Sequence, residues 1–328
     1  MMLVATRCLV ALAALGILGL TTPCLAAECP APAAVAATVV APALVAQGQA
    51  FLVTLRTPLV LRDTQVDFLG HRFQTWAETQ GGESVVHALV AAGADDPAGS
   101  YRLIFSGTDP AGNRAAFSQD VQVYDGAFGE QRLRLPKAMV RPDAATLERI
   151  AAEKARLAER LATAAQERLW DGRFVRPVPG ALLSRFGLLR VLNNEPCGRH
   201  YGVDLRAAQG QPVRAAAGGR VAVAEPFYFE GNLVVLDHGL GLATIYCHLS
   251  QTDVKEGESV AAGQVIGLAG ATGRATGPHL HFGARLGDVR LDPFSLYTLT
   301  AGARHEHTQE PKDLRGGNGA VGAGGAHP

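Results

Sequence analysis

Three short histidine-bearing words, spread over residues 200–281, constrain this chain more than any other feature. They read His200-Tyr-Gly-Val-Asp204, Tyr246-Cys-His248-Leu249 and Pro278-His279-Leu-His281-Phe282. His279 and His281 are two apart, a spacing that puts both side chains on one face of a strand. His200 and Asp204 are four apart, which suits one face of a strand or of a helix. Gly202 between them, with Pro196 and Gly198 just before, argues for the strand. Glycine-punctuated runs lie between the words: Gly219-Arg-Val-Ala-Val-Ala224, Asn232-Leu-Val-Val-Leu-Asp237 and Gly263-Gln-Val-Ile-Gly267. The expectation is an antiparallel β domain whose polar side chains converge on one face. Neutral imidazole and carboxylate suit Zn2+, and a catalytic zinc takes three protein ligands and keeps a fourth position open. The spacing leaves open which of His279 and His281 is a ligand.

The rest of the chain is read around that domain. Lys plus Arg equals Asp plus Glu at 30 each, so there is no basic surface for nucleic acid and no polybasic membrane patch. Residues 1–27 read as a secretory signal peptide: Arg7, an apolar run from Cys8 to Leu20, and small residues at Ala26 and Ala27. The run is short for a membrane span, so no stable span is expected after cleavage; an uncleaved anchor is the alternative. The address is extracytoplasmic, in the periplasm or cell envelope. Pro23 before Cys24 and Glu28 before Cys29 are poor contexts for lipidation. Cleavage leaves Cys29, Cys197 and Cys247. A Cys197–Cys247 bridge would brace the site, but strand alternation sets Cys247 on the face opposite His248, so a bridge would form behind the metal; buried free thiols are the simpler reading.

Residues 28–43 are Ala/Pro-rich and expected to be extended or loose. Residues 44–126 carry short β-prone runs and polar turns, which fit an immunoglobulin-like sandwich. His71 and His87 in it are read as surface or core residues. Residues 127–142 are a connector. Residues 143–170 are read as an amphipathic helical linker, with Asp143 as N-cap and Leu147, Ile150, Leu157 and Leu161 in one stripe. Residues 171–300 are the β domain. The tail, residues 301–328, has too little apolar matter to fold. The fold class is therefore mainly β.

The C-terminal part resembles the lysostaphin/LytM-type zinc metallopeptidases that cut peptidoglycan cross-bridges. The likeness rests on Ser184-Arg-Phe-Gly187, His200-x-x-x-Asp204, Pro212-Val-Arg-Ala215, Gly231-Asn232, Asp237-His-Gly239, His248-Leu-Ser250, Gly263-Gln264, Thr272-Gly273 and Gly277-Pro-His-Leu-His-Phe282. It implies one Zn2+ per chain on His200, Asp204 and His281, with His248 and His279 handling protons and the oxyanion, and Asn232 as a substrate-binding residue. It implies peptidoglycan stem peptides or cross-bridges as substrate and an accessory upstream half, where a protein regulator could act through the N-terminal domain or the helix. It also separates this chain from degenerate relatives that have lost the metal. Cys247 departs from the small residue usual at its place. His238 is read as structural, and Phe227-Tyr-Phe229 as packing or a groove rim.

Two neutral imidazoles, one carboxylate and Zn2+ leave one net positive charge, which favours hydroxide. No glutamate stands as in a His-Glu-x-x-His site, so a thermolysin-type base is excluded. The competing reading is a non-catalytic wall-binding regulator or activator of other hydrolases; intact ligands argue against it. A carrier-domain reading of residues 254–265 fails, because Lys255 is not placed on an exposed hairpin turn.

Overall fold

Period-two alternation decides the N-terminal part. Leu103 and Phe105 are buried between outward-facing neighbours, and Val121 and Val123 repeat the pattern. The computed structural model describes residues 37–299, so the signal peptide, Cys8, Cys24, Cys29 and the tail with its His305, His307 and His327 lie outside the described residues. Eight strands come first: β1 (Thr38–Val40), β2 (Leu44–Ala46), β3 (Ala50–Thr57), β4 (Arg62–Phe68), β5 (His71–Gln80), β6 (Glu83–Ala91), β7 (Gly99–Thr108) and β8 (Arg114–Tyr124). They form one hydrogen-bonded path, β1-β3-β6-β5-β4-β7-β8-β2. Strand β5 belongs to both halves of it: residues 71–74 pair with β4 and residues 75–80 with β6. Strand β1 falls in the stretch expected to be loose, where pairing with β3 orders it. His71 bridges Asp96 and Asp288, and His87 bonds Thr54 and stacks on Trp76.

The connector is more than a connector. It carries β9 (Glu130–Leu133) and a helical turn, α1 (Lys137–Val140). The Glu-Gln-Arg-Leu sequence of β9 has no apolar alternation to announce a strand. Its order comes from a partner far along the chain, the parallel neighbour β11 (Leu189–Leu192).

Helix α2 (Ala144–Ala162) starts where expected, with the Asp143 carboxylate accepting from the Thr146 N–H at 2.8 Å. It ends eight residues short of the expected Trp170. Main-chain groups beyond it are taken by the turn at Asp237–Gly239. The Ala165 N–H donates to the Asp237 carboxylate at 2.7 Å, the Leu240 N–H to the Ala165 carbonyl and the Leu169 N–H to the His238 carbonyl, both at 2.8 Å. A side chain on Gly239 would meet the Glu167 carbonyl at 1.8 Å, so the close approach requires glycine.

The C-terminal strands are β10 (Leu182–Ser184), β11, β12 (Glu195–Arg199), β13 (Val203–Arg206), β14 (Pro212–Arg214), β15 (Gly219–Phe227), β16 (Gly231–Asp237), β17 (Leu242–Thr252), β18 (Ser259–Val260), β19 (Val265–Ala269), β20 (His279–Leu286) and β21 (Val289–Leu291). Ten of them form a sheet whose main path is β10-β13-β20-β17-β16-β15-β18, antiparallel throughout. The remaining two make a small sheet, β12-β11-β9. One face of the large sheet buries Tyr246, Phe282, Leu280 and Leu205 in a core continuous with that of the N-terminal strands. The other buries Val223, Phe227, Val235 and Cys247 under Leu157 and Leu161 of α2. The helix stripe thus packs on its own chain, while Leu147 at its start is exposed. Contacts across the core include Trp76 against Trp170, the Asp292 N–H to the Gly48 carbonyl at 2.7 Å, and Asp95 with Arg199 and Tyr201, each at 2.6 Å.

His238 is structural. It is fully buried, with Nδ1–H donating to the Gly218 carbonyl at 2.7 Å and Nε2 bonded to the Thr244 hydroxyl at 2.7 Å. Burial drives its pKa down to about 4, against the weaker upward pull of the Gly218 carbonyl and Asp237. In the unfolded chain an imidazole titrates near ~6.5, so between about 6.5 and 4 the unfolded state holds the extra proton. The stability His238 contributes is present above 6.5 and is lost as pH falls through 4. Urea midpoints of the zinc-free protein at several pH values check this: they should fall over that window less steeply in His238→Gln than in the parent. Equal slopes would contradict it.

Candidate metal and catalytic site

The site grows from a register coincidence. Strand β13 pairs with β20 so that Asp204 faces His281 directly. On the other side of β20, β17 pairs Cys247 with His281. Asp204, His281 and His279 therefore share the sheet face that α2 covers further along. His200 is not on a strand with Asp204, contrary to the spacing argument. It sits in the loop between β12 and β13 and is brought back by the turn through Tyr201 and Gly202. Its main chain is held there by Leu188 and Gly187, each at 2.8 Å.

The three expected ligands meet. His200 Nε2 lies 3.0 Å from Asp204 Oδ1 and 2.9 Å from His281 Nδ1, and His281 Nδ1 lies 2.9 Å from Asp204 Oδ1. All three atoms fall within 4.8 Å of one another, as one shared ion requires. Proton bookkeeping strengthens the point. The carbonyl of Arg185 accepts from His200 Nδ1–H at 2.8 Å, so Nε2 of the neutral ring carries a lone pair. That lone pair faces a carboxylate oxygen and a second imidazole nitrogen, with at most one proton among the three. Such a cluster of acceptors fits a cation, and two nitrogens with one oxygen fit zinc. Burial pushes the Asp204 carboxyl up, but the two imidazoles against it, His200 and His281, outweigh burial and hold the carboxyl well below the usual range. Burial lowers His281 to about 4, so its ring is neutral at physiological pH.

Gly202 explains the glycine inside the His-x-Gly-x-Asp word. A Cβ there would meet the His281 ring and the Phe282 carbonyl at 2.7 Å. Gly202→Ala should therefore displace a ligand and weaken zinc by roughly 10–100-fold, the loss usual when ligand support is removed. Competition with a chromogenic chelator measures it; unchanged affinity would show that the ring yields without cost.

His248 arrives by a bulge. Tyr246 and Leu249 both face the large core, although strict alternation would put them on opposite faces. The extra residue is taken up at His248, whose φ of +64° is left-handed and whose N–H donates to the Glu230 carbonyl at 2.7 Å. The bulge turns His248 toward His279 and His281, with ring centres 4.9 and 6.0 Å away. This corrects the expectation for Cys247, which sits on the Asp204 face and not behind it. Cys247 is a buried free thiol, raised well above its ordinary pKa by burial, while Cys197 is exposed and also free. No bridge joins them.

His248 and His279 are poised alike. Nδ1–H of His248 donates to the Thr272 carbonyl at 2.9 Å, and Nδ1–H of His279 to the Gly277 carbonyl at 2.8 Å. Each leaves Nε2 bare, and that of His279 is 3.7 Å from Asp204 Oδ1. Burial first, then the neighbouring imidazoles, lowers His248 to about 3. The groove beside these residues is closed by Gln131, Leu133 and Leu135 from the former connector. Asn232 spends its side-chain amide on the Leu249 carbonyl at 2.9 Å and its N–H on the Thr272 hydroxyl at 2.9 Å, so it braces the loop that holds His248.

Sequence reading missed Arg190. Its Nη2 donates to Asp204 Oδ2 at 2.8 Å, leaving Oδ1 for the metal. With Arg190 counted, a divalent ion bound there would give the centre two net positive charges where the expected ligands alone suggested one. Only the alternation of β11, which sets Arg190 on the same side as the buried Leu192, could have hinted that Arg190 points inward. Ser184 was noted only as part of a motif; its hydroxyl lies 3.2 Å from Gln131 Oε1 and 3.3 Å from His200 Nδ1.

Comparison with known proteins finds likeness over the part of the chain that holds these residues. Residues 198–293 match the model of peptidase family M23. The DD-carboxypeptidase/endopeptidase Mpg of Neisseria meningitidis serogroup B is 44% identical over 97 residues, 30% of this chain and 22% of that protein. The peptidoglycan DD-endopeptidase ShyB of Vibrio cholerae is 46% identical over 83 residues, 25% of this chain and 20% of that protein. The match thus spans about a fifth of these relatives' length. A crystal structure of a putative peptidase M23 from Pseudomonas aeruginosa superposes with a TM-score of 0.57 at 26% identity, covering 77% of this chain and 94% of that one.

Proposed function

We propose, for a chain whose residues 198–293 belong to peptidase family M23, that it is a zinc-dependent endopeptidase hydrolysing peptide cross-links of bacterial peptidoglycan. One observation carries the reading: three lone-pair atoms, mutually 2.9–3.0 Å apart, sit beside two histidines that both present a bare Nε2. Zinc on His200, Asp204 and His281 would polarise the scissile carbonyl and bring the pKa of water toward ~7. His248 and His279 supply the proton steps. One bare Nε2 takes the proton of the attacking water and delivers it to the leaving amine. The other takes a proton from solvent at Nε2, donates it in a hydrogen bond to the oxygen of the tetrahedral carbon, and returns it to solvent when the products leave. The main-chain carbonyls of Thr272 and Gly277 keep both rings in the tautomer that starts this cycle.

The chain acts outside the cytoplasm, exported by residues 1–27, and the upstream strands are an accessory module. No helix among the described residues is long and apolar enough to cross a membrane. The non-catalytic regulator is the second reading; it would not need both bare imidazoles. Digestion of purified sacculi with the protein and with His281→Ala, followed by mass spectrometry of new amine ends, decides. Cross-link cleavage by the parent alone is expected, and identical fragments from both would end the hydrolase reading.

A further inference from the structure

Arg274 is the charged groove residue that neither the metal set nor the proton steps use. It lines the groove together with His248, His279 and Arg190. Its guanidinium carbon lies over the Phe229 ring, 4.0 Å from the ring centre, and its main-chain N–H donates to the Phe229 carbonyl at 2.8 Å. Loop residues 227–229 are in turn fixed from behind: Glu153 of α2 accepts the Tyr228 N–H at 2.9 Å. The remaining polar contacts of Arg274 are long, 3.5 Å to the Met139 carbonyl and 3.9 Å to Cys197 Sγ. Among the described residues no carboxylate lies within ion-pair distance of it. The groove's one acid, Asp204, is held by Arg190 at 2.8 Å. Glu230, on the adjoining loop, is half-buried and forms no ion pair with Arg274, although the two charges are near enough to attract. Arg190 itself has a buried Nε–H without a partner. An incoming peptide therefore meets two guanidinium groups, apolar walls at Leu133 and Leu135, and, among the residues lining the groove, no acid left unpaired.

Building on the hydrolase reading above, we infer that Arg274 is a carboxylate-docking residue, and that the groove selects peptides carrying a free carboxylate next to the scissile bond. A cross-link in which one partner is a diamino acid with an unlinked carboxyl supplies that group. A bridge of neutral glycines does not. An arginine pre-placed on an aromatic face is suited to the task, because its planar fork matches a carboxylate and little side-chain freedom remains to be lost. The alternative is that Arg274 only packs on Phe229 and holds the loop of residues 272–277.

Two synthetic cross-linked peptides, identical except for a free carboxylate or a carboxamide beside the scissile bond, separate these roles. The zinc-loaded full chain should cleave the acid with kcat/KM at least about tenfold above the amide, expressed mainly in KM. Arg274→Gln should bring that ratio near one, and Arg274→Lys should restore part of it. A packing role would lower both peptides together and leave the ratio intact. A parent ratio near one, or a ratio kept in Arg274→Gln, overturns the inference while leaving the hydrolase standing. If neither peptide is cut, the hydrolase reading fails. The inference is then read from fluorescence anisotropy of the labelled acid and amide on the same protein: tighter binding of the acid, lost in Arg274→Gln, sustains it, and equal or absent binding overturns it.

Discussion

Asp204→Asn protein is expected to leave purification with roughly a tenth of a zinc ion per chain or less, a larger loss than the 10–100-fold typical of missing ligand support, and with no measurable cross-link hydrolysis. The reason is charge as much as geometry. Asp204 is the one anion among the ligands, and Arg190 already rests on its far oxygen. An amide there would put a divalent ion beside a guanidinium with nothing negative between them. The fold should survive, because the amide oxygen can still accept from Arg190; weakening that charge-assisted hydrogen bond costs about 1–3 kcal/mol. Zinc per chain by mass spectrometry, urea midpoint and turnover check the three parts separately. Full zinc occupancy in this variant would place the metal elsewhere.

His248→Asn should do the opposite: keep one zinc per chain and lose about 100–1,000-fold in kcat/KM, the range for removing a proton-transfer or oxyanion group. Asparagine is chosen because residue 248 sits at φ +64°, a left-handed conformation that asparagine tolerates better than alanine. The fall then reports the missing imidazole and not a strained bulge. A variant that retained full turnover would leave His279 to manage every proton alone and would remove His248 from the mechanism.

The proposed division of the five candidate residues into holders of the ion and carriers of protons was legible only in part from the chain. His279 and His281 could be placed on one face because a period of two needs no partner to be true. The mainly β character followed from the same local patterns, whereas the likeness to lysostaphin/LytM-type metallopeptidases rested on the quoted motifs. His200 misled: its spacing from Asp204 suggested a shared strand, but the ring reaches the site from a loop. Cys247 misled for a related reason, since alternation fails wherever a strand takes an extra residue. Helix α2 was expected to reach Trp170 because propensity continues through Arg168; hydrogen bonds to the Asp237–Gly239 turn stop it at Ala162.

Residue types and local periods alone determined that this chain is mainly β and carries a nitrogen-and-oxygen donor set suited to zinc. Tertiary structure alone decided that Arg190 grips the far side of Asp204, that β9 walls the groove, that a bulge delivers His248, and that Arg274 lines the groove with no ion-pair partner among the described residues. Each of these depends on pairing between segments distant in the chain, and a side chain's direction there is set by its partner's register, about which neither segment carries information by itself.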